Sequence, residues 1–265
     1  MKFELKTWIQ SFDKIFRNIL MYFTGGNKYP NIFSYKFLTY YSLKRNLKTY
    51  AKYANGLLLD IGCEEKPYYD IFKPYVKNYI GIDHHRVKQH LGERIFADLY
   101  NDAPKLSIKS SSIDTIVFTH IWYYMEEQEQ LLQELKRVLK PGGLLIGNML
   151  QNDHVVDLKY DQHRLTQKGI RYILEKSHLK IITIQHDGQF WIFFGQMLIH
   201  YLDHVGFKNY RSFFLKIIVS IFKVIFSPLF LIFIATVNTV CIIFDKFENQ
   251  NSFSISNSFV AQKKY

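Results

Sequence analysis

Residues 57–70 read LLLDIGCEEKPYYD. The apolar run Leu57–Ile61 is typical of a buried strand, and Gly62 follows where the chain must turn. A second apolar run, YIGID, ends in Asp83, which lies 23 positions after Asp60. Ligands of a doubly wound sheet bind beyond the carboxyl ends of its strands, and an acid at this spacing commonly binds a ribose. The stretch is therefore predicted to be a strand that leads into a nucleotide-binding turn.

Further apolar runs alternate with helical patterns along the chain, which predicts a mostly parallel α/β sheet covered on both faces. A helix is predicted over Glu126–Leu139, ended by KPGG at 140–143, and another over Thr166–Ser177 with Thr166 as its N-cap. The predicted strands after the first are Tyr79–Asp83, Ile95–Ala97, Asp114–Thr119, Leu144–Met149, Lys180–His186 and Ser258–Gln262.

The formal net charge of +11 lies towards the ends of the chain. Residues 1–55 carry ten Lys and Arg against two acidic residues, and residues 200–265 carry seven against three. The middle is nearly neutral, with 17 basic and 18 acidic residues. A nucleic-acid reader more often carries its basic patch on the folded core, so the distribution favours an anionic membrane surface over nucleic acid.

The two cysteines, Cys63 and Cys241, are far apart and show no CxxC or Cys/His ligand spacing. Neither a disulfide framework nor a metal site is predicted, which suits a reducing cytoplasm. Charges interrupt the N-terminal apolar residues throughout, so the N-terminus does not have the pattern of a secretory signal.

Residues 1–23 place apolar side chains at steps of three and four, which predicts an amphipathic helix that ends at Gly25-Gly26. Such a helix can pack on its own domain. Its Trp and Phe content and its basic polar face also fit a helix that lies in the plane of a membrane.

Residues 213–244 hold only two charges, Lys216 and Lys223, in 32 positions. Val224–Phe244 alone is about 31 Å long as a helix, which is enough to span a bilayer. A single span would separate the last strand from its sheet, so Pro228 is predicted to divide the segment into two halves that dip into one leaflet and return. The alternatives are a soluble helical lid or dimer interface and a true span.

The ordered set LLLDIGC, YIGID, ADLYND, DTIVFTHIWYY and LKRVLKPGGLLIGNM resembles the class I S-adenosylmethionine (SAM)-dependent methyltransferases of the broad type 11 group. The resemblance covers about residues 55–190 and the closing strand near residue 260. It implies a Rossmann-like doubly wound sheet of seven mostly parallel strands, with an antiparallel last strand and SAM as cofactor.

The resemblance also implies where SAM binds, and carboxylates suit its sulfonium and ammonium groups. The implied contacts are Asp60, Gly62 and Cys63 beside the methionine part, Asp83 with His84 at the ribose, Asp98 and Leu99 after the third strand at the adenine, and Thr119 and His120 closing the site. Glu64 departs from the family pattern, which has a glycine where the backbone must approach the ligand and adopt a positive φ.

Methyl transfer to a hydroxyl is helped by a base, and histidine is the usual choice near neutral pH. His154 or His163 is predicted to be that base, although the segment containing His163 and Arg164 can equally be a structural bridge into the next helix. Tyr123 stands where the family usually has an acid after the fourth strand. No metal is implied.

The resulting hypothesis is a SAM-dependent methyltransferase on the cytoplasmic face of a membrane, peripheral or monotopic. Its acceptor is a small molecule or is lipid-linked, such as a glycan intermediate, with a hydroxyl favoured over carbon or nitrogen. Rival hypotheses are an inactive SAM-fold scaffold, which Glu64 motivates, and an NAD-dependent enzyme, which the missing glycines disfavour. The predicted segments are a basic helical part (1–55), the SAM-binding core (56–190), a hydrophobic insertion (191–250) and a closing strand with a basic tail (251–265).

Overall fold

The computed structural model describes residues 22–26, 29–85, 97–100, 105–154, 159, 161–202, 213–249 and 252–264. These residues form two compact units. One lies within Met1–Tyr40 and Phe190–Gln250, and the other within Tyr41–Gln189 and Asn251–Tyr265. The amphipathic helix predicted over residues 1–23 lies, except for its last two residues, outside the described ranges. The four segments predicted from the sequence stay predictions.

The second unit contains a sheet of seven strands in the order β3-β2-β1-β4-β5-β7-β6. The strands are β1 (Leu57–Ile61), β2 (Asn78–Asp83), β3 (Leu99–Tyr100), β4 (Ile113–Phe118), β5 (Leu139–Leu150), β6 (Leu179–Asp187) and β7 (Ser256–Lys263). Strands β1 to β5 pair in parallel, and β7 is antiparallel to both β5 and β6. The predicted fold class is confirmed. The strand order reverses at β1, which is where such sheets bind ligands.

Helices cover both faces of this sheet because successive strand residues point to opposite sides. Leu58, Val117 and Ile146 pack with Leu43 and Leu47 of helix α1 (Phe37–Tyr50). Their neighbours in sequence, such as Leu59, Ile116 and Leu145, pack with helices α3 (Gln128–Val138) and α4 (Gln167–Lys176). A short helix α2 (Tyr69–Phe72) follows the loop after β1. The predicted N-cap of α4 is confirmed, since Gly169 N donates to Thr166 Oγ1 at 3.2 Å.

Two strand positions differ from the predictions. The third strand is two residues long and begins at Leu99, so the prediction at Ile95–Ala97 was wrong: Ala97 lies outside any strand, and residues 95 and 96 lie outside the described ranges. The fifth strand already begins at Leu139, before the predicted KPGG turn. Leu139 pairs with Ile113 and Leu144 with Thr115, so the four turn residues protrude from the strand opposite one residue of β4.

The first unit contains helix α5 (Phe190–His200) and helix α6 (Phe213–Asp245). The predicted break at Pro228 was wrong, because α6 continues through this residue for 33 positions. A proline inside a helix removes one backbone hydrogen bond, and the long helical runs on both sides outweigh that loss here. Within the described ranges, one helical stretch, Phe226–Asp245, is long and apolar enough to cross a membrane, which by itself is weak evidence.

Candidate active site

The loop after β1 has a backbone conformation that favours glycine at three alternate positions. Gly62, Glu64 and Lys66 have φ angles of +71°, +39° and +50°. Only glycine adopts this region freely, and other residues are strained there by about 1–2 kcal/mol. Two backbone N–H groups, of Gly62 and Cys63, donate to Ile82 O at 2.9 and 3.2 Å and hold the loop against the end of β2. A glycine is needed at position 62 for a second reason, since a Cβ there would lie 2.7 Å from the Ile121 side chain.

Glu64 has a backbone conformation that is typical of glycine. Its φ lies in the left-handed region, its side chain is exposed, and its backbone N–H donates to Asp83 Oδ2 at 2.7 Å. Glutamate at this position therefore leaves the turn intact, although its backbone is in a strained conformation.

Asp83 ends β2 and organises the loop. Its two carboxylate oxygens accept backbone N–H groups of Glu64 and His84, each at 2.7 Å. Burial raises the pKa of Asp83, and these two hydrogen bonds act in the opposite direction. Each oxygen keeps a second lone pair, so the carboxylate can still accept hydrogen bonds from ribose hydroxyls.

Asp60 is the second-to-last residue of β1, just before the loop, and is buried. Burial raises the pKa of Asp60 to about 7, against the hydrogen bond that the Tyr79 hydroxyl donates to Oδ2. Nearby Asp83 and Glu64 raise this pKa further, while Lys66 lowers it. A site with this many acidic groups attracts a cation, and a bound sulfonium would favour the ionised form of Asp60.

Asp98 is paired in a way that the sequence did not reveal. Its Oδ2 accepts from Lys66 Nζ and from Gly81 N, both at 2.7 Å. Partial burial raises the pKa of Asp98, but the Lys66 and Gly81 hydrogen bonds outweigh it and lower the pKa overall. Asp98 and Leu99 were predicted to follow the third strand, and this placement was wrong: Asp98 immediately precedes β3 and Leu99 begins it.

Lys66 reaches Asp98 because β2 has a glycine, Gly81, beneath the lysine side chain. A Cβ at Gly81 would lie 2.5 Å from Lys66 Cε and 2.7 Å from Cys63 Sγ. The Cys63 thiol is buried, and burial raises its pKa, so this side chain packs the loop and is not a thiolate at neutral pH. Thr119 is buried directly after β4, and His120 follows it with φ +57°.

His154 lies four residues past the end of β5 and is held by a carboxylate. Its Nδ1 is 2.8 Å from Asp153 Oδ1, and its backbone N–H donates to the same oxygen at 2.8 Å. Arg164 holds this turn from the other side, donating to Asp153 O at 3.2 Å and to His154 O at 2.8 Å. With Nδ1 protonated, the carboxylate fixes the ring and leaves Nε2 as the basic atom.

His163 lies on a segment that crosses the ends of two neighbouring strands. Gln162 N donates to Tyr123 O at 3.2 Å, beyond β4, and Leu165 N donates to Leu150 O at 3.1 Å, at the end of β5. Arg164, the next residue, is paired with Asp161. The segment thus bridges these strands, and the structure gives His163 no orienting carboxylate comparable with Asp153 among the described contacts.

Sequence patterns did not indicate Lys66 as a partner of Asp98, Tyr79 as a partner of Asp60, or Asp153 as the orienting group of His154. One signal was present: Tyr79 alternates with Gly81 and Asp83 along β2, which places all three on one face. The roles assigned to the predicted cofactor and catalytic residues remain predictions.

Comparisons with known proteins find a family match for part of the chain and similar folds for most of it. Residues 59–147 match the family described as a methyltransferase domain. A comparison with curated proteins gave no match. The fold is similar to that of the 4+2 cyclase SpnF, with 15% identity, 84% of this chain and 80% of that chain covered, and a TM-score of 0.52. A chain from a Haloferax volcanii complex that contains the Trm112 methyltransferase activator gives 12% identity, 87% and 92% coverage, and a TM-score of 0.53.

At these identities the two structures show the fold alone, which is a Rossmann-like sheet. The family match adds to this, because it runs from Leu59 within β1 to Gly147 within β5 and includes the loop, Asp83 and Asp98. Residues 59–147 therefore correspond to a methyltransferase domain of the class I SAM-dependent kind, for which SAM is the cofactor.

Proposed function

We propose that this protein transfers the methyl group of SAM to a hydroxyl of an acceptor that is delivered by a membrane, such as a lipid-linked glycan intermediate, at the cytoplasmic face. In this reaction the hydroxyl oxygen attacks the methyl carbon, the carbon–sulfur bond breaks, and its electron pair stays on sulfur. The hydroxyl proton must leave as the new bond forms.

The pairing of His154 with Asp153 is the observation that carries this proposal. The imidazole follows β5, at the carboxyl edge of the parallel strands where the cofactor loop also lies. In the tautomer whose Nδ1 proton faces Asp153, Nε2 is the basic nitrogen that would accept the hydroxyl proton. A base of this kind suits an oxygen acceptor, since a hydroxyl is a weak nucleophile until its proton is removed. His163 is the weaker candidate because its segment serves as a bridge between strand ends.

The membrane-delivered acceptor is supported by the composition of the chain. Its apolar helix α6 is largely exposed between Phe226 and Phe244, and the residues at both ends of the chain are strongly basic. Basic segments are attracted to anionic lipids. The proposed partners are therefore this acceptor and an anionic membrane surface.

Methyl transfer can be tested with tritiated-methyl SAM and a defined acceptor. The full chain is incubated with a polyprenyl-phosphate-linked disaccharide in phosphatidylglycerol vesicles, with the free disaccharide as the soluble counterpart. We expect label in the lipid phase, and a loss of about 100-fold or more in His154→Ala, which is in the range of general-base contributions.

His163→Ala is the matched control and should retain most of the activity. Equal rates for wild type and His154→Ala would contradict the role of His154 as base. Label on the free disaccharide alone would contradict the membrane-delivered acceptor, and SAM binding without transfer to either substrate would favour the scaffold hypothesis.

A further inference from the structure

The exposed side of α6 carries a stripe of apolar residues, with Thr236 among them. At 3.6 residues per turn, its members fall within about 100° of arc around the helix. We call this stripe the outward face; its members are Leu229, Ile232, Phe233, Val240 and Ile243. Leu229 and Ile232 are 63% and 58% exposed, values that are normally found for polar residues.

The opposite side of α6 is buried and carries the polar groups. It consists of Ile234, Asn238, Cys241 and Asp245, spaced by three and four residues. Asn238 is fully buried, and its Nδ2 donates to Ile32 O at 2.6 Å and to Ser34 O at 3.2 Å. A water-soluble helix has the reverse arrangement, with its polar groups outside.

Helix α5 of the same unit likewise has a polar side chain on its buried side and an apolar side chain on its exposed side. Gln196 is fully buried, donates to Tyr35 O at 2.8 Å and accepts from Thr39 N at 3.3 Å. Phe194 of the same helix is 46% exposed. The two helices pack closely, since Gly195 contacts Cys241 and a Cβ at the glycine would lie 2.5 Å from Sγ. Polar groups thus face the interior of this unit while apolar groups face outwards.

The exposed hydroxyls of α6 need no water. Thr236 Oγ1 donates to Ile232 O at 2.9 Å, and Thr239 Oγ1 donates to Ala235 O at 2.8 Å. Each hydroxyl is satisfied by the carbonyl of the preceding turn, which is how such residues are accommodated in lipid. Residues 226–244 contain no charge, so this surface presents nothing that water must solvate.

We propose that the outward face of α6 lies in the hydrocarbon of a lipid bilayer. This deepens the proposed function, on which it rests for the membrane-delivered acceptor, by naming the surface that contacts lipid. The uncharged stretch from 226 to 244 is about 28 Å long at 1.5 Å per residue. The preceding residues 203–225 contain four basic residues and one acid, which suits anionic headgroups.

Lipid fits this face better than a protein partner does. Protein interfaces contain about one hydrogen bond per 100–200 Å², whereas the two hydroxyls on this side are already used within the helix. Hydrocarbon makes no such demand. A second copy of the chain or another protein would have to bind through apolar packing alone.

Spin labelling of the full chain in vesicles tests this placement. A nitroxide is attached to Val240→Cys, with Tyr172→Cys, an exposed site on α4, as the matched control. Both native cysteines are buried, and their background is measured on the unsubstituted protein. Collision rates are measured with oxygen, which concentrates in lipid, and with a nickel chelate, which stays in water.

We expect oxygen to dominate at position 240 and the nickel chelate to dominate at position 172. Nickel access at 240 equal to that at 172 would show that the face is in water. Low access to both reagents at 240 would show that a protein covers it. Either result overturns the proposal.

A second measurement uses vesicle flotation. Ile232→Asn, Val240→Asn and Ile243→Asn combined should reduce partitioning into phosphatidylcholine–phosphatidylglycerol vesicles by about tenfold or more, because buried apolar area drives interfacial binding. Ile182→Asn with Tyr172→Asn should leave it unchanged. Unchanged partitioning of the triple variant overturns the proposal. Calorimetry with SAM on the same variants separates the proposed lipid contact of α6 from the proposed methyl transfer, since SAM binding does not depend on lipid contact.

Discussion

Asp187, at the end of β6, is a fully buried carboxylate whose hydrogen bonds allow a quantitative prediction. Oδ1 accepts from Asn46 Nδ2 at 2.8 Å and from Ser258 Oγ at 2.5 Å. Oδ2 accepts from Asn148 Nδ2 at 2.6 Å and from Ser256 Oγ at 2.8 Å. Burial raises the pKa of Asp187, and the four hydrogen bonds act in the opposite direction. The carboxylate joins α1, β5, β6 and β7.

Asp187→Asn changes one oxygen into an amide nitrogen that faces two donors. Two hydrogen bonds to a charged group are lost, at about 1.5–3 kcal/mol each. The Ser256 hydroxyl can rotate and accept a hydrogen bond from the new amide, which recovers part of the lost free energy. Removal of a buried charge offsets a further part of that loss. We expect a loss of about 3 kcal/mol in the free energy of unfolding, and about half of this for Ser258→Ala, which removes one donor.

The rate of amide hydrogen exchange in peptides from β5 and β7 measures this loss of unfolding free energy at the strands that hold the hydrogen bonds to Asp187. About 3 kcal/mol corresponds to an exchange that is faster by roughly a hundredfold. Asp70→Asn is the matched control, because it makes the same change at an exposed side chain and should have little effect. If exchange in Asp187→Asn stayed within about threefold of wild type, the carboxylate would not hold these strands together.

Three further predictions concern the cofactor loop. SAM affinity should rise with pH up to about 7 and level off above it, because the SAM cation favours ionised Asp60, whose pKa is raised to about 7. Calorimetry should find no such pH dependence in Asp60→Asn. An affinity of the wild type that does not change with pH would refute this prediction. Glu64→Gly relieves backbone strain of about 1–2 kcal/mol at φ +39° but makes the unfolded chain more favourable by about 0.5–1 kcal/mol, because glycine has more conformational entropy. Thermal unfolding should therefore show a small rise in melting temperature that Glu64→Ala lacks. Equal melting temperatures for the two variants would count against strain at this position. Gly81→Ala forces Lys66 and Cys63 aside and should weaken SAM binding by about tenfold in the same assay, whereas unchanged affinity would show that the loop adapts.

The strands at the centre of the sheet could be predicted from the sequence because each is a buried apolar run with a turn after it. Leu57–Ile61 has the same bounds in the prediction and in the structure. The third strand could not be found in this way, since a pair of two residues carries no periodic signal. The break at Pro228 was predicted from a local rule, and the long apolar helix overrides it.

The candidate site was predictable where its residues lie at strand ends, as with Asp60 and Asp83. Contacts that depend on loop geometry could not be read from the sequence. Lys66 meets Asp98 across 32 positions only because the loop turns back over Gly81. The orientation of His154 likewise depends on Arg164, which holds the carbonyl groups of the turn from ten positions away.

A loop with glutamate and lysine in glycine-like conformations should still bind SAM. Calorimetric titration of the full chain with SAM, and with its demethylated product, measures this binding. We predict saturable binding of both ligands at one site per chain, weakened in Asp83→Asn. Absence of binding for both ligands, with the protein shown to be folded by circular dichroism, would contradict this prediction.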